Sequence, residues 1–247
     1  MKIRADRLLV QRGLFESRAK AQAAIEAGRV NADAALVRKA SDEIAVDAQL
    51  EAAPAYPWVS RGGVKLAAAL DQFGFAITGR TGLDAGSSTG GFVDVLLARG
   101  AARVYAVDVG RAQLHARLRS DPRVISFEET DVRALDPARL DPRPDFATVD
   151  VSFISLEAVL PAATALLAES AEAKLVALIK PQFEVGRQHL KKGIVRDAVL
   201  QRAACEKISA CACALGWEIV GIVPSPIRGG DGNMEFLLGA RRGPRRG

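Results

Sequence analysis

Ionisable residues in this chain recur where apolar runs stop. Asp84 falls in LDAG, Asp108 ends VYAVD, Asp131 follows the run VISF, Asp150 ends FATVD and Lys180 ends KLVALIK. If these runs are parallel strands, their exits lie along one edge of a sheet, and residues distant in sequence converge there. Two further candidates join them. Lys65, in RGGVKL, sits in the first turn of a predicted helix, where a cation opposes the helix dipole and so points to function rather than to helix stability. Glu235 stands among apolar neighbours in GNMEFLL. A lysine at the end of an apolar strand is costly to desolvate unless something is gained. Lys65, Asp150, Lys180 and Glu235 meeting in one crevice would be either a buried ion cluster or a catalytic set.

The stretch LDAGSSTGGFVDVLLARGAARVYAVD, residues 83–108, supplies the loop that such a crevice needs. It reads as strand, glycine-rich loop, helix and second strand. Glycines let backbone lie against a ligand at a helix N-terminus. A dinucleotide fingerprint wants glycines at its first, third and sixth positions; counting from Gly86, the third is Ser88. Asp84 adds a carboxylate that repels a diphosphate and welcomes a cationic or zwitterionic ligand. The spacing therefore favours S-adenosylmethionine over a dinucleotide, with a plain glycine turn as the alternative. The candidate cofactor residues are Asp84, Gly86, Ser88, Gly90, Gly91, Phe92, Asp108 and Asp131. Asp108 is placed at ribose hydroxyls and Asp131 near the adenine.

These positions require an α/β domain. The predicted elements are a helix from Arg61 towards Phe73, strands up to Asp84, at 104–107, 124–127, 146–150, 174–179, 217–223 and 234–238, a helix over 110–118 and a long helix over 197–215. The alternation implies a Rossmann-like sheet. At 247 residues with 49% hydrophobic content, the chain can bury one large core and a small one. A break falls at residues 54–60, rich in proline, which gives a small α+β module at 1–53, a linker, and a large domain at 61–247.

Charge is unevenly spread. Residues 1–40 carry a net +5 and the tail RRGPRRG another +4, although the whole chain is only +5. Basic ends commonly meet phosphates. In the first module, Ser17 is a predicted N-cap, helices cover 5–12 and 18–27, and Arg4, Arg7, Arg12, Arg18, Lys20 and Arg29 are candidate RNA-binding residues, with a solvated helix surface as the alternative. The basic loop 187–196 could likewise touch a phosphate backbone or simply be solvated. Cys205, Cys211 and Cys213 share one helix and are expected on its core-facing side; with His115 and His189 they suggest neither a disulfide framework nor a metal site. No apolar run is long enough for a membrane span and the start is too polar for a secretory signal, so a cytoplasmic location is expected.

RADRLLVQRGLFESRAKAQAAIEAGRVN resembles the RNA-binding module named after the fourth small-subunit ribosomal protein. Residues 61–247 are similar to ribose 2′-O-methyltransferases of the FtsJ type, whose lysine, aspartate, lysine, glutamate set matches Lys65, Asp150, Lys180 and Glu235. With IKPQFEVG and SPIRGGDGNMEFLLG, nearly the whole chain resembles the TlyA family of ribosomal RNA cytidine-2′-O-methyltransferases. The resemblance implies S-adenosylmethionine as cofactor, and ribosomal RNA or ribosomal subunits as partner, with no stable protein partner. It also implies a cytidine in small-subunit (16S) RNA as first target, with large-subunit (23S) RNA as a second. Lys180 is the candidate base. Another structured RNA such as transfer RNA is the rival substrate. A membrane-lytic activity, suggested by the haemolysin label some family members carry, finds no apolar span or amphipathic helix in its support.

Overall fold

The computed structural model describes residues 1–242; Arg245 and Arg246 of the basic tail lie outside the described residues. Two units divide the chain, Met1–Ser60 and Arg61–Gly247.

In the first unit, β1 (Lys2–Arg4) leads directly into α1 (Ala5–Gln11), and α2 (Arg18–Glu26) follows after a short turn. Ser17 is extended, and its hydroxyl accepts the Lys20 N–H at 3.3 Å, which fixes where α2 begins. Four short strands complete the unit: β2 (Val30–Ala32), β3 (Ala35–Leu36), β4 (Glu43–Ala45) and β5 (Leu50–Ala52). β2 pairs with β3 and β5, and β1 with β4, all antiparallel. Ala5, Leu9, Phe15, Ala21, Ile25 and Val30 form the core between helices and strands.

The basic residues of this unit are not all turned outward. Asp6 is wholly buried and gathers Arg4, Arg18 and Gln22, with Arg18 Nη2 at 2.7 Å and Gln22 Nε2 at 2.9 Å. The Arg4 guanidinium, helped by Arg18 and Gln22, holds the Asp6 carboxyl well below the usual carboxylate range. Arg12 donates to the carbonyls of Val46 and Ala48, and Lys20 pairs with Glu16 at 2.5 Å. Arg7 and Arg29 are exposed. A lowered carboxyl stabilises the fold above the ordinary carboxylate range, and that contribution is lost as pH falls. Asp6→Ala is expected to cost about 2 kcal/mol, less than the ~3–5 kcal/mol for a fully buried pair because the guanidinium partners are half in water. Urea unfolding of the full chain, with amide exchange in α1 and α2 as the local readout, checks it.

The second unit opens with α3 (Gly62–Phe73) and continues as β6 (Thr81–Ala85), α4 (Gly91–Ala98), β7 (Arg103–Val107), α5 (Ala116–Arg119), β8 (Val124–Phe127), β9 (Phe146–Val149), α6 (Leu156–Ala165), β10 (Lys174–Ile179), α7 (Pro181–Glu184), α8 (Ala198–Ala214), β11 (Trp217–Pro224) and β12 (Phe236–Arg242). Seven strands form one sheet in the order β11-β12-β10-β9-β6-β7-β8, with β12 antiparallel to both neighbours and the rest parallel. This is the Rossmann-like α/β arrangement that the alternation of elements predicts. Strand order reverses beside β6, with β7 on one side and β9 on the other, and a crevice opens there above the strand ends. Leu83, Tyr105, Ala147, Leu160, Leu175 and Ile208 belong to the core.

Three expectations need correction. The helix expected over 110–118 shrinks to Ala116–Arg119, because the Glu128 carboxylate accepts the backbone N–H groups of Ala112, Gln113 and Leu114 and so holds that segment in a turn. The strand expected at 234–238 begins only at Phe236, since Ser225 N donates to the Glu235 carbonyl and ties Glu235 to the preceding loop. Of the three cysteines only Cys205 is buried; Cys211 is half-buried and Cys213 exposed. Burial pushes the Cys205 thiol up to about 11. Among the described residues, no helix is long and apolar enough to cross a membrane.

Candidate active site

The crevice is built from the exit of β6 upward. Asp84 is wholly buried, and its lateral neighbour in register on β9 is Thr148, whose hydroxyl donates to Asp84 Oδ1 at 2.6 Å. The other oxygen, Oδ2, is buried without a hydrogen-bond partner. Burial, reinforced by the nearby carboxylates of Asp150 and Asp108, pushes the Asp84 carboxyl up to about 7, against the Thr148 hydrogen bond.

Beyond Asp84 the chain must turn sharply. Gly86 has φ +87°, and a Cβ there would sit 2.2 Å from the Asp150 carbonyl oxygen, so the loop can lie against β9 only without a side chain. At Gly90, φ +96°, a Cβ would meet Leu118 at 2.3 Å. Ser88 N and Gly110 N both donate to the Asp108 carboxylate, at 2.8 and 2.7 Å, which fixes it over the loop. Gly86, Ser88, Asp108, Asp131 and Asp150 line a cavity of about 420 Å³. Asp131 caps the turn that follows it and pairs with Arg133 at 2.6 Å, which holds its carboxyl below the usual range. Asp84, Gly90, Gly91 and Phe92 are not among the residues lining this cavity; Asp84 is wholly buried and Phe92 is buried in α4.

The four remaining residues form two ion pairs. Lys180 Nζ lies 2.6 Å from Asp150 Oδ1 and donates to Ser152 Oγ at 2.8 Å. Lys65, carried by α3, donates directly to Glu235, and both side chains are more than nine-tenths buried. The sheet relates the pairs. β10 and β12 are antiparallel with Ile179 opposite Phe236, so Lys180, one residue beyond β10, and Glu235, one residue before β12, follow from the last registered pair. Glu235 is also roofed by its own loop: a Cβ at Gly229 would lie 2.4 Å from Glu235 Oε1.

Several residues around the crevice carry little signal in the sequence. Thr148 was detectable as the one hydroxyl in the otherwise apolar FATV strand. Ser152 and Phe153 carry no such signal. Phe153 is 91% exposed, has φ +66°, lines the cavity and pairs with Phe183 at 5.3 Å between ring centroids. Glu184, in the KPQFE segment, accepts from Ser155 Oγ at 2.5 Å and from Leu156 N at 2.8 Å, and so anchors the N-terminus of α6.

The sequence pattern of the FtsJ-like methyltransferases matches residues 58–242. A 16S/23S rRNA (cytidine-2′-O)-methyltransferase of Mycobacterium tuberculosis is 44% identical over 243 residues, covering 96% of this chain and 89% of the relative. A solved structure named as a haemolysin, from Streptococcus thermophilus, superposes with a TM-score of 0.77 at 40% identity, over 98% of this chain and 89% of its own. A methyltransferase from Burkholderia thailandensis that acts on N1 of 1,6-didemethyltoxoflavin is 20% identical with a TM-score of 0.52, over 74% and 78% of the two chains, a likeness of fold.

Proposed function

Because the chain belongs to the FtsJ-like methyltransferases, and within them to the TlyA family of ribosomal RNA cytidine-2′-O-methyltransferases, we propose that it methylates the 2′-oxygen of a cytidine in small-subunit (16S) ribosomal RNA, with large-subunit (23S) RNA as a second target. S-adenosylmethionine is the cofactor and supplies a methyl group already activated on a sulfonium. The observation that carries the reading is the Lys180–Asp150 pair at the mouth of the cavity beside Asp108 and Gly86.

The residues fit that cofactor. Asp84 Oδ2 is an orphaned acceptor in a buried setting, which favours a ligand bearing positive charge. Gly86 leaves the space that a side chain would fill. Asp108 is pinned by two backbone N–H groups, which leaves its remaining lone pairs for hydroxyl donors.

The protein's own chemistry is positioning and one proton transfer. A ribose hydroxyl is a weak nucleophile until its proton leaves. Lys180 gives one N–H to Ser152 and lies in ion-pair contact with Asp150, and a position not directed at Ser152 is where the neutral amine would present its lone pair to the 2′-hydroxyl. Lys65 and Glu235 hold each other and flank the same sheet edge, orienting the sugar. Phe153, exposed at the cavity with a face free, offers a surface on which a base can stack. Phe153→Ala is expected to raise the KM for RNA about tenfold, from ~1–3 kcal/mol of stacking, with cofactor affinity unchanged in a calorimetric titration.

In the first unit, the RNA-facing charge is assigned to Arg7 and Arg29 and to the water-exposed parts of Arg4 and Arg18, while Arg12 serves the fold. Action on ribosomal RNA puts the work of this protein in the cytoplasm. The test is methyl transfer from labelled S-adenosylmethionine to unmodified 30S and 50S subunits, followed by nuclease digestion. Recovery of 2′-O-methylcytidine is the expected result; label on a base, or on transfer RNA alone, would overturn the reading.

A further inference from the structure

A second cavity, of about 580 Å³, has Met234, the residue before Glu235, in its lining. Its walls come from two segments far apart in sequence: Ile194, Val195, Arg196 and Gln201 on one side, and Arg228, Gly232 and Met234 on the other. Asn233 stitches the segments together. Its side chain is buried, with Oδ1 accepting the Val195 N–H at 3.0 Å and Nδ2 donating to the Gly193 carbonyl at 3.0 Å. The cavity is also tied to the active site. Arg61, one helical turn before Lys65, donates to the Arg228 carbonyl at 2.7 Å, and Met234 directly precedes Glu235.

The lining has a definite chemistry. Among the described lining residues the two charged members are both guanidiniums, Arg196 and Arg228, with no carboxylate beside them. Arg228 spends Nη1 on the Gly232 carbonyl at 3.1 Å and keeps the rest of its fork. Gln201 donates to the Val195 carbonyl at 2.8 Å, which leaves its amide oxygen as a free acceptor. Ile194 and Met234 add apolar surface. Two guanidiniums on one cavity suit a phosphate, apolar side chains suit a base, and the volume lies in the range of a small-ligand pocket.

Resting on the reading of the active site as a ribose methyltransferase, we propose that this cavity takes the RNA nucleotide adjacent to the methylated ribose. Its phosphate lies on Arg196 and Arg228 and its base lies against Ile194 and Met234, with Gln201 as acceptor for a base amino group. The basic loop 187–196, which the sequence leaves open between phosphate contact and solvation, then has an assignment for Arg196.

The test uses the full chain, S-adenosylmethionine and whichever unmodified ribosomal subunit the wild-type protein methylates. Arg196→Ala and Arg228→Ala are each expected to raise the KM for RNA about fivefold and to reduce the salt slope of RNA binding by about 0.7, as for one lost single-strand phosphate contact. kcat and cofactor affinity should hold, and Arg228→Lys should recover most of the loss, since a lysine keeps the charge. Arg196 is included because its truncation leaves the Arg228 hydrogen bonds to the loop intact. Wild-type transfer with unchanged KM and salt slope in both variants overturns the pocket alone, as does a fall in kcat with KM unmoved. Absence of any RNA methylation by the wild-type protein overturns the active-site reading and the pocket with it.

Discussion

Lys180→Ala is expected to abolish methyl transfer to ribosomal RNA, a loss of about 10²–10⁴-fold for removal of a general base, while S-adenosylmethionine still binds. The separation follows from the geometry. Lys180 is held by Asp150 and Ser152, whereas the orphaned Asp84 oxygen, the Gly86 turn and the pinned Asp108 lie on the other side of β9 from it. Lys180→Arg is the sharper variant. A guanidinium keeps the positive charge and can still meet Asp150, but it does not lose its proton in proteins, so it cannot accept one. Both variants inactive, with cofactor affinity by calorimetry within a few fold of wild type, is the expected pattern. Substantial turnover by Lys180→Arg would show that charge alone is required and would remove Lys180 from the role of base.

Cofactor affinity is expected to rise about tenfold between pH 6 and pH 8, because a carboxyl titrating near 7 passes from about one-tenth to about nine-tenths ionised over that interval. The group is Asp84, raised to about 7 by burial. The sign runs in one direction. Without ligand, the folded chain holds this proton more tightly than the unfolded chain does, so the linkage favours folding at acid pH and is lost as pH rises through about 7. A cationic ligand binds the ionised form and reverses that loss. The thermal shift produced by S-adenosylmethionine should therefore be larger at pH 8 than at pH 6. Asp84→Asn removes the titration and a charge-assisted hydrogen bond of about 1.5–3 kcal/mol, which corresponds to a 10- to 100-fold weaker cofactor and a flat profile. A wild-type affinity that does not change across this pH range would detach Asp84 from cofactor binding.

Much of this arrangement can be read from residue order alone, and the reason is specific. Strands buried on both faces are apolar throughout, so an ionisable residue at the end of each, such as Asp84, Asp108 and Lys180, marks both the boundary and the functional edge. The errors arise where a distant side chain decides local structure. Nothing in residues 110–118 reveals that Glu128 will claim three of its backbone N–H groups. Nothing in the first helices reveals that Arg4, Arg18 and Gln22 will converge on Asp6, although the one-turn spacing of Arg18 and Gln22 is visible. The Arg196–Arg228 cavity is equally hidden, because its two walls, far apart in sequence, are tied by the Asn233 side chain. Phe153 escapes notice because its positive φ and exposure are properties of the turn after β9 rather than of a periodic pattern.

The position of β12 has a consequence for how the protein comes into being. This strand is inserted between β10 and β11, although it is made after both, and Glu235 lies at its threshold. A nascent chain that has not yet delivered residues 235–242 leaves two strands without their shared neighbour and Lys65 without its counter-ion. Such a chain already carries the glycine loop and Asp84. Translation therefore delivers the proposed cofactor loop early and the Lys65–Glu235 pair only with this last pairing, and prematurely terminated products are expected to lack that pair.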